Sequence, residues 1–269
     1  MDDDLLERLI RARPEGWRRR AAALGGRQLV HDGLVTTLTG IPAPWLNPTS
    51  VVADPADPSV ALAAAEVDRP PETGGFGIDL VVDRFPAVLA AAETTGLVRR
   101  TSQPLMVLAP ASLPSAPPPE GIVLARAEDR LAEVAVVDAE VFEDPVEISA
   151  AFLDPRVFRD PAFRAYAALR DGRAVATTVT TIVDGVLSVN GVGVVAAERR
   201  RGIGAAITAF AVRDRADEAE IAFLEAHGDA ARVYARLGFR PIATWEVWVR
   251  PDQSEEAVRE GGPPPRGGV

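Results

Sequence analysis

Three arginines and two glycines stand together in Arg199-Arg200-Arg201-Gly202-Ile203-Gly204, between an apolar run at 186–195 and a segment with helical apolar spacing. A helix N-terminus already carries partial positive charge on its unpaired N–H groups, so cations there are unfavourable unless an anion offsets them. Gly202 and Gly204 have no Cβ, which lets phosphate oxygens approach the backbone N–H groups closely. The chemistry implied is capture of a phosphorylated ligand; the bland alternative is a solvated charge run capped by Glu198. A second pattern, Gly191-Val-Gly193-Val-Val-Ala196, fits the Gly-x-Gly-x-x-Ala form of dinucleotide sites but has the wrong setting. That pattern must open a helix directly, and here the apolar run continues. Gly191 and Gly193 are instead expected at a bulge or a close backbone approach.

These residues need alternating strands and helices to hold them. The spacing predicts strands at 121–126, 163–169, 174–183, 186–195, 221–226 and 239–249, and helices at 128–142, 202–216 and 229–237. Thr177, Thr178, Thr180 and Thr181 favour strand, and Asp184-Gly185 marks a hairpin turn. The first half predicts a helix over 5–23, strand-like runs at 34–39, 50–53 and 78–82, a helix over 85–95, then short runs at 96–98 and 105–108. Its ending, a helix, Gly96-Leu97 and Pro104-Leu-Met-Val-Leu108, echoes the later helix, Gly238-Phe239 and the run at 245–249 as a faint internal repeat. Between the halves, Ala109-Pro-Ala-Ser-Leu-Pro-Ser-Ala-Pro-Pro-Pro-Glu-Gly121 can sustain neither a helix nor a central strand and fits a semi-rigid connector. The organisation expected is an N-terminal lobe over 1–110, a proline-rich linker over 111–120, a second domain over 121–250 and a disordered tail over 251–269. The fold class is α/β with a mixed sheet.

A chain of 269 residues, 47% hydrophobic and 25% charged, is long enough for one large domain or two smaller ones. Its net charge of −10 argues against nucleic acid or an anionic membrane as main partner and favours cationic substrates such as amines. The absence of cysteine excludes disulfides, thiolate zinc sites and a cysteine nucleophile; no metal is called for. The acidic, amphipathic start lacks the features of a secretory signal, and no run approaches the roughly 20 apolar residues of a membrane span, so a cytoplasmic location is expected.

The arginine–glycine segment resembles the Arg/Gln-x-x-Gly-x-Gly/Ala signature of the GNAT superfamily of acyl-CoA N-acyltransferases. Val233-Tyr234-Ala-Arg-Leu237-Gly238-Phe239 resembles the second family motif, Tyr-x-x-x-Gly-Phe. The two occur in the family order, with a strand and a helix between them. The resemblance covers roughly 121–250 and, through the internal echo, implies a tandem GNAT-like fold whose N-terminal half is a degenerate copy shaping the acceptor pocket.

The resemblance implies an acyl-CoA, acetyl-CoA as donor, with its pyrophosphate on the loop formed by Arg199, Arg200, Arg201, Gly202, Ile203, Gly204 and Ala205. The backbone of the strand from Val192 to Val194 would pair with the pantetheine arm. Tyr234 would protonate the departing CoA thiolate, for which a phenol with a pKa near 10 is a reasonable donor. For the general base, Ser188 and Asn190 are unsuitable at neutral pH, and Glu225 and His227 are the nearest titratable candidates, of which His227 has the more suitable pKa. Asp229 stands where the family often places an asparagine or serine against the cofactor, and it could instead cap the helix. The function implied is N-acetylation of a primary amine by direct attack in a ternary complex. The acceptor is a small molecule, with a protein amine possible. The alternative is a non-catalytic acyl-CoA-binding or interaction protein; monomer and homodimer both stay open.

Overall fold

Period-two apolar runs separated by glycine and proline turns give the strands, and the apolar stripes between them give the helices. The computed structural model describes residues 3–251; the tail expected to be disordered lies, beyond Pro251, outside the described residues. In chain order the elements are α1 (Asp3–Leu24), β1 (Arg27–His31), β2 (Leu34–Leu38), β3 (Thr49–Val51), α2 (Pro58–Val67), β4 (Gly77–Val81), α3 (Pro86–Thr94) and β5 (Val98–Leu108). There follow β6 (Ile122–Arg126), α4 (Leu131–Phe142), α5 (Val146–Phe152), β7 (Phe163–Arg170), β8 (Arg173–Val183), β9 (Val186–Val194), α6 (Ile203–Asp214), β10 (Ile221–Glu225), α7 (Ala230–Arg236) and β11 (Arg240–Val249). The described residues form two units, 3–103 with 243–251, and Pro104–Ile242.

In the first unit, β1 and β2 form an antiparallel hairpin, β2 pairs antiparallel with β3, and β3 pairs parallel with β4. The far side of β4 is closed by the last strand of the chain: Trp245–Val249 opposes Gly77–Val81 antiparallel. Buried Asn47 ties the turn after β2, accepting from the Thr39 N–H at 2.8 Å and donating to the Ile41 and Ala43 carbonyls. Burial pushes the Arg69 guanidinium down to about 10 while it donates to the Asn47 carbonyl at 2.7 Å. His31, which has no visible partner in sequence, meets Asp68 at 2.9 Å. Trp245 lies under the Arg13 guanidinium at 4.4 Å, and the Trp248 indole donates to Glu246 at 2.9 Å.

The second unit has the strand order β5, β10, β9, β8, β7, β6. Its one parallel neighbour pair is β9–β10; the others are antiparallel, with Leu105–Leu108 of β5 opposing Ala222–Glu225. Strands β9 and β8 slip register between Thr177 and Val179, and Gly191 there has φ +60°, a bulge of the kind expected for it. Around the bulge, Leu187, Val189, Val192 and Val194 join one core with Ile203, Ile207 and Val212 of α6 and Tyr234 of α7. Each fully buried aliphatic of this kind contributes roughly 1.5–3 kcal/mol. Gly193 faces the other way: a Cβ there would lie 2.6 Å from Cγ1 of Val141 on α4. The sheet is thus covered by α6 and α7 on one face and α4 on the other.

Three elements escape the sequence patterns. Strand β1 is half exposed and lacks an apolar run. Helix α5 is only seven residues long. Helix α2 was signalled by Asp57 followed by Pro58, a cap residue and a proline at the first helical position. Strand β5 is one continuous element rather than two runs, because Pro104, which cannot donate, still accepts from the Ala226 N–H at 3.1 Å.

Candidate active site

Parallel pairing of β10 with β9 covers Ile221–Val186, Ala222–Leu187 and Phe223–Ser188. Both strands run on, β9 to Val194 and β10 to Glu225, without further pairs to one another among the described residues. Beyond Ser188 the β10-facing backbone groups of β9 are therefore open to another hydrogen-bonding chain. Val192 and Val194 lie on this open stretch with their side chains in the α6 core, so only their backbone is offered.

The open stretch leads straight into the arginine–glycine loop. Gly202 occupies the N-cap of α6 at φ +82°, a conformation that favours glycine, and no side chain caps the helix. The first intrahelical bond of α6 runs from the Ala206 N–H to the Gly202 carbonyl at 3.1 Å. The N–H groups of Ile203, Gly204 and Ala205 precede that bond and lie at the positive end of the helix dipole. Ile203 and Gly204 are buried while Arg199, Arg200, Arg201 and Gly202 are exposed. The three arginines differ. Arg199 folds back to donate from Nε to the Val194 carbonyl at 2.9 Å. Arg201 lies 3.5 Å from Glu198, which also pairs with Arg170 of β7 at 2.9 Å. Arg200 has φ +64°, and among the described residues it makes no ion pair. The charge run is thus partly compensated by Glu198, with Arg200 left facing solvent.

Residue alternation sorts the titratable candidates onto two faces. Ala222 and Leu224 of β10 belong to the α6 core, so Phe223 and Glu225 point to the opposite face, the one that also carries Ser188. Tyr234 belongs to the α6 face: its ring is 4% exposed and meets Phe239 edge-on at 6.0 Å. Burial pushes its phenol above the usual tyrosine range, so it stays protonated at any physiological pH. Ser188 donates to the Asn190 side-chain oxygen at 3.0 Å. His227 is half buried in the turn between β10 and α7, and its carbonyl accepts from the Ala230 N–H at 3.0 Å. Asp229 precedes α7 but makes no capping hydrogen bond; its carboxylate lies 3.6 Å from exposed Arg232. Asp229 therefore does not cap α7 through its side chain.

A polar cluster with no local sequence signal gathers at the other end of α6. Asp214, the last helical residue, sits where the helix dipole disfavours negative charge. Arg126 of β6 clasps it through two nitrogens at 2.7 and 3.0 Å, Arg164 of β7 donates at 2.8 Å, and the Tyr166 hydroxyl at 2.9 Å. Burial works to raise the Asp214 carboxyl, but these hydrogen bonds hold it below the usual aspartate range. Arg126 and Arg164 come from distant strands, so no local spacing announces the cluster.

The first unit repeats the connectivity β–β–β–α–β–α, with β3 and β4 as the parallel pair around α2. At the start of α2, however, Asp57 accepts from the Ser59 and Val60 N–H groups at 3.0 and 3.1 Å, and Asp32 takes the Ala56 N–H at 2.6 Å. The equivalent helix end is closed by carboxylates.

The second unit is thus a mixed-sheet α/β domain that opens between two parallel strands beside an uncapped, arginine-flanked helix. Residues 124–239 match the family model described as the GNAT family of acetyltransferases. The chain carries a GNAT-family acetyltransferase domain over those residues and is an acetyltransferase. A GCN5-related N-acetyltransferase from Kribbella flavida is similar over 91% of this chain and 95% of its own, at 26% identity and a TM-score of 0.75. A GCN5-related N-acetyltransferase from Sphaerobacter thermophilus shares the fold at 18% identity and TM-score 0.56, over 81% of this chain and 76% of its own. A tandem GNAT protein from the clavulanic acid biosynthesis pathway shares it at 18% identity and TM-score 0.55, over 82% and 78%. No curated protein matches the chain.

Proposed function

We propose that this acetyltransferase moves the acetyl group of acetyl-CoA to a primary amine by direct attack in a ternary complex. The observation that carries the reading is the end of β9–β10 pairing at Ser188, which leaves the rest of β9 unpaired with β10 on the way to the uncapped N-terminus of α6. A donor with a diphosphate and an amide-bearing arm suits that arrangement. The N–H groups of Ile203, Gly204 and Ala205, with Arg200 beside them, take the diphosphate. The backbone of Val192 and Val194 takes the arm as an added strand would be taken.

Two faces then serve two proton transfers. The amine nitrogen attacks the thioester carbonyl carbon, so a C–N bond forms as the C–S bond breaks. Glu225, on the face away from α6, accepts the proton the amine must lose, with His227 as the second candidate. Tyr234, on the α6 face, delivers its proton to the departing sulfur. Desolvation that raises the phenol raises the basicity of a thiolate held in the same apolar surroundings, so the two stay matched. The acidic chain, at net charge −10, favours a cationic acceptor. A cytoplasmic location fits this chemistry.

The test is thiol release from acetyl-CoA by the purified protein against a panel of small amines and amine-bearing peptides. Amine-dependent release above the hydrolysis background supports the reading. Binding of acetyl-CoA with no release from any acceptor class would reduce the protein to an acyl-CoA binder.

A further inference from the structure

The proline-rich stretch between β5 and β6 is part of the second unit and packs on it. Leu113, Ala116 and Pro119 are half buried, whereas Pro114, Ser115, Pro117 and Pro118 are exposed. A burial period of three is that of a polyproline II helix, which has three residues per turn. Leu113, at φ −66° and ψ 120°, lies close to that conformation, and Leu113 and Ala116 pack against the core of α6 and α7. Arg213, near the end of α6, donates to the Pro114 carbonyl at 3.2 Å. At the other end, a Cβ on Gly202 would lie 4.0 Å from Cγ of Pro119. From Pro114 to Pro119 a polyproline II segment spans about 15 Å, and from Gly202 to Arg213 an α-helix spans about 16 Å. The segment therefore follows α6 from its last turn to its first. Pro114 also lies 4.0 Å from the Cβ position of Gly238, so the segment runs beside the glycines of both family motifs.

We infer that residues 113–119 are a stiff strap that positions the donor loop, holding Gly202 and the first turn of α6 in the geometry that receives the diphosphate. The inference rests on the acyl-CoA reading of that loop. Proline fixes φ and leaves few alternative conformations, so the strap keeps its shape with backbone hydrogen bonds at its two ends, from the Leu113 N–H to the Pro110 carbonyl and from the Ile122 N–H to the Pro119 carbonyl, each at 3.1 Å. Its stiffness, as well as its contacts, is what the loop uses.

The exposed pair Pro117 and Pro118 allows the two to be separated. Pro117→Gly with Pro118→Gly keeps Leu113, Ala116 and Pro119 but removes the rigidity. KM and Kd for acetyl-CoA are expected to rise about fivefold, with kcat within twofold, at a temperature well below melting. Ser115→Pro in the same background is expected to recover part of the affinity. Amide exchange at residues 199–206 gives a readout without ligand: it is expected to quicken in the glycine variant. A lowered melting temperature with unchanged affinity and unchanged exchange at 199–206 would overturn the strap as a positioning element. Failure of the unaltered protein to bind acetyl-CoA would sink the donor reading instead, and the exchange measurement would still decide whether the strap orders the loop.

Discussion

Phe223 of β10 opposes Ser188 of β9, and past that pair the two parallel strands share no further ladder contact among the described residues. A parallel pair that stops while both strands continue leaves polar backbone facing a gap, an arrangement kept only where something else takes the hydrogen bonds. The candidate active site is built around that gap.

Tyr234→Phe keeps the buried ring and its edge contact with Phe239 and removes only the hydroxyl. We expect kcat to fall roughly 100-fold with acetyl-CoA affinity within twofold, as loss of a general acid requires. Steady-state kinetics beside calorimetric titration checks it; unchanged turnover would remove Tyr234 from the mechanism. Glu225→Gln and His227→Gln, assayed in parallel, identify the base by which of them loses kcat.

Arg199 and Arg200 are expected to diverge. Arg200→Gly relieves a left-handed backbone that costs a non-glycine residue about 1 kcal/mol, so the melting temperature rises while acetyl-CoA binding weakens. Arg199→Ala removes the donor to the Val194 carbonyl and lowers the melting temperature. Thermal melts with and without acetyl-CoA read both effects.

The Asp214 cluster predicts an acid limit to stability. Its folded pKa lies below the unfolded value near 3.9, so its contribution is complete above about pH 5 and disappears as pH falls through the folded value. Asp214→Asn is expected to cost roughly 2 kcal/mol near neutrality and to flatten stability below pH 5. Urea melts from pH 3 to 7 test it; parallel curves for the two proteins would refute it.

Asp57 at the start of α2 predicts one acetyl-CoA per chain. Titration calorimetry should give a stoichiometry of one, and Arg200→Ala should weaken that single event. A second saturable site surviving in the variant would show that the first unit binds the ligand after all.

A cut at the proline-rich stretch separates strands that pair within each unit: Leu105–Leu108 from β10, and Trp245–Val249 from β4. Fragments cut at the proline-rich stretch, 1–110 and 121–269, are each expected to be insoluble or unfolded because each bares a central strand. Soluble, cooperatively melting fragments would contradict this.

What was written in the sequence was local. Gly202 at φ +82°, the hairpin at Asp184-Gly185 and the apolar stripe of α6 are set by single residues and short spacings, which is why the mixed α/β class and the loop between β9 and α6 could be read directly. Helix α2 is signalled locally too, by Asp57 and Pro58. Only the folded chain decided that β9 and β10 part at Ser188, that Glu225 and Tyr234 fall on opposite faces, and that Asp214 gathers Arg126, Arg164 and Tyr166. It alone also turned a proline-rich connector into a strap on α6. These depend on which distant segments become neighbours, and pairing register and burial between segments tens of residues apart leave no periodic trace in either one.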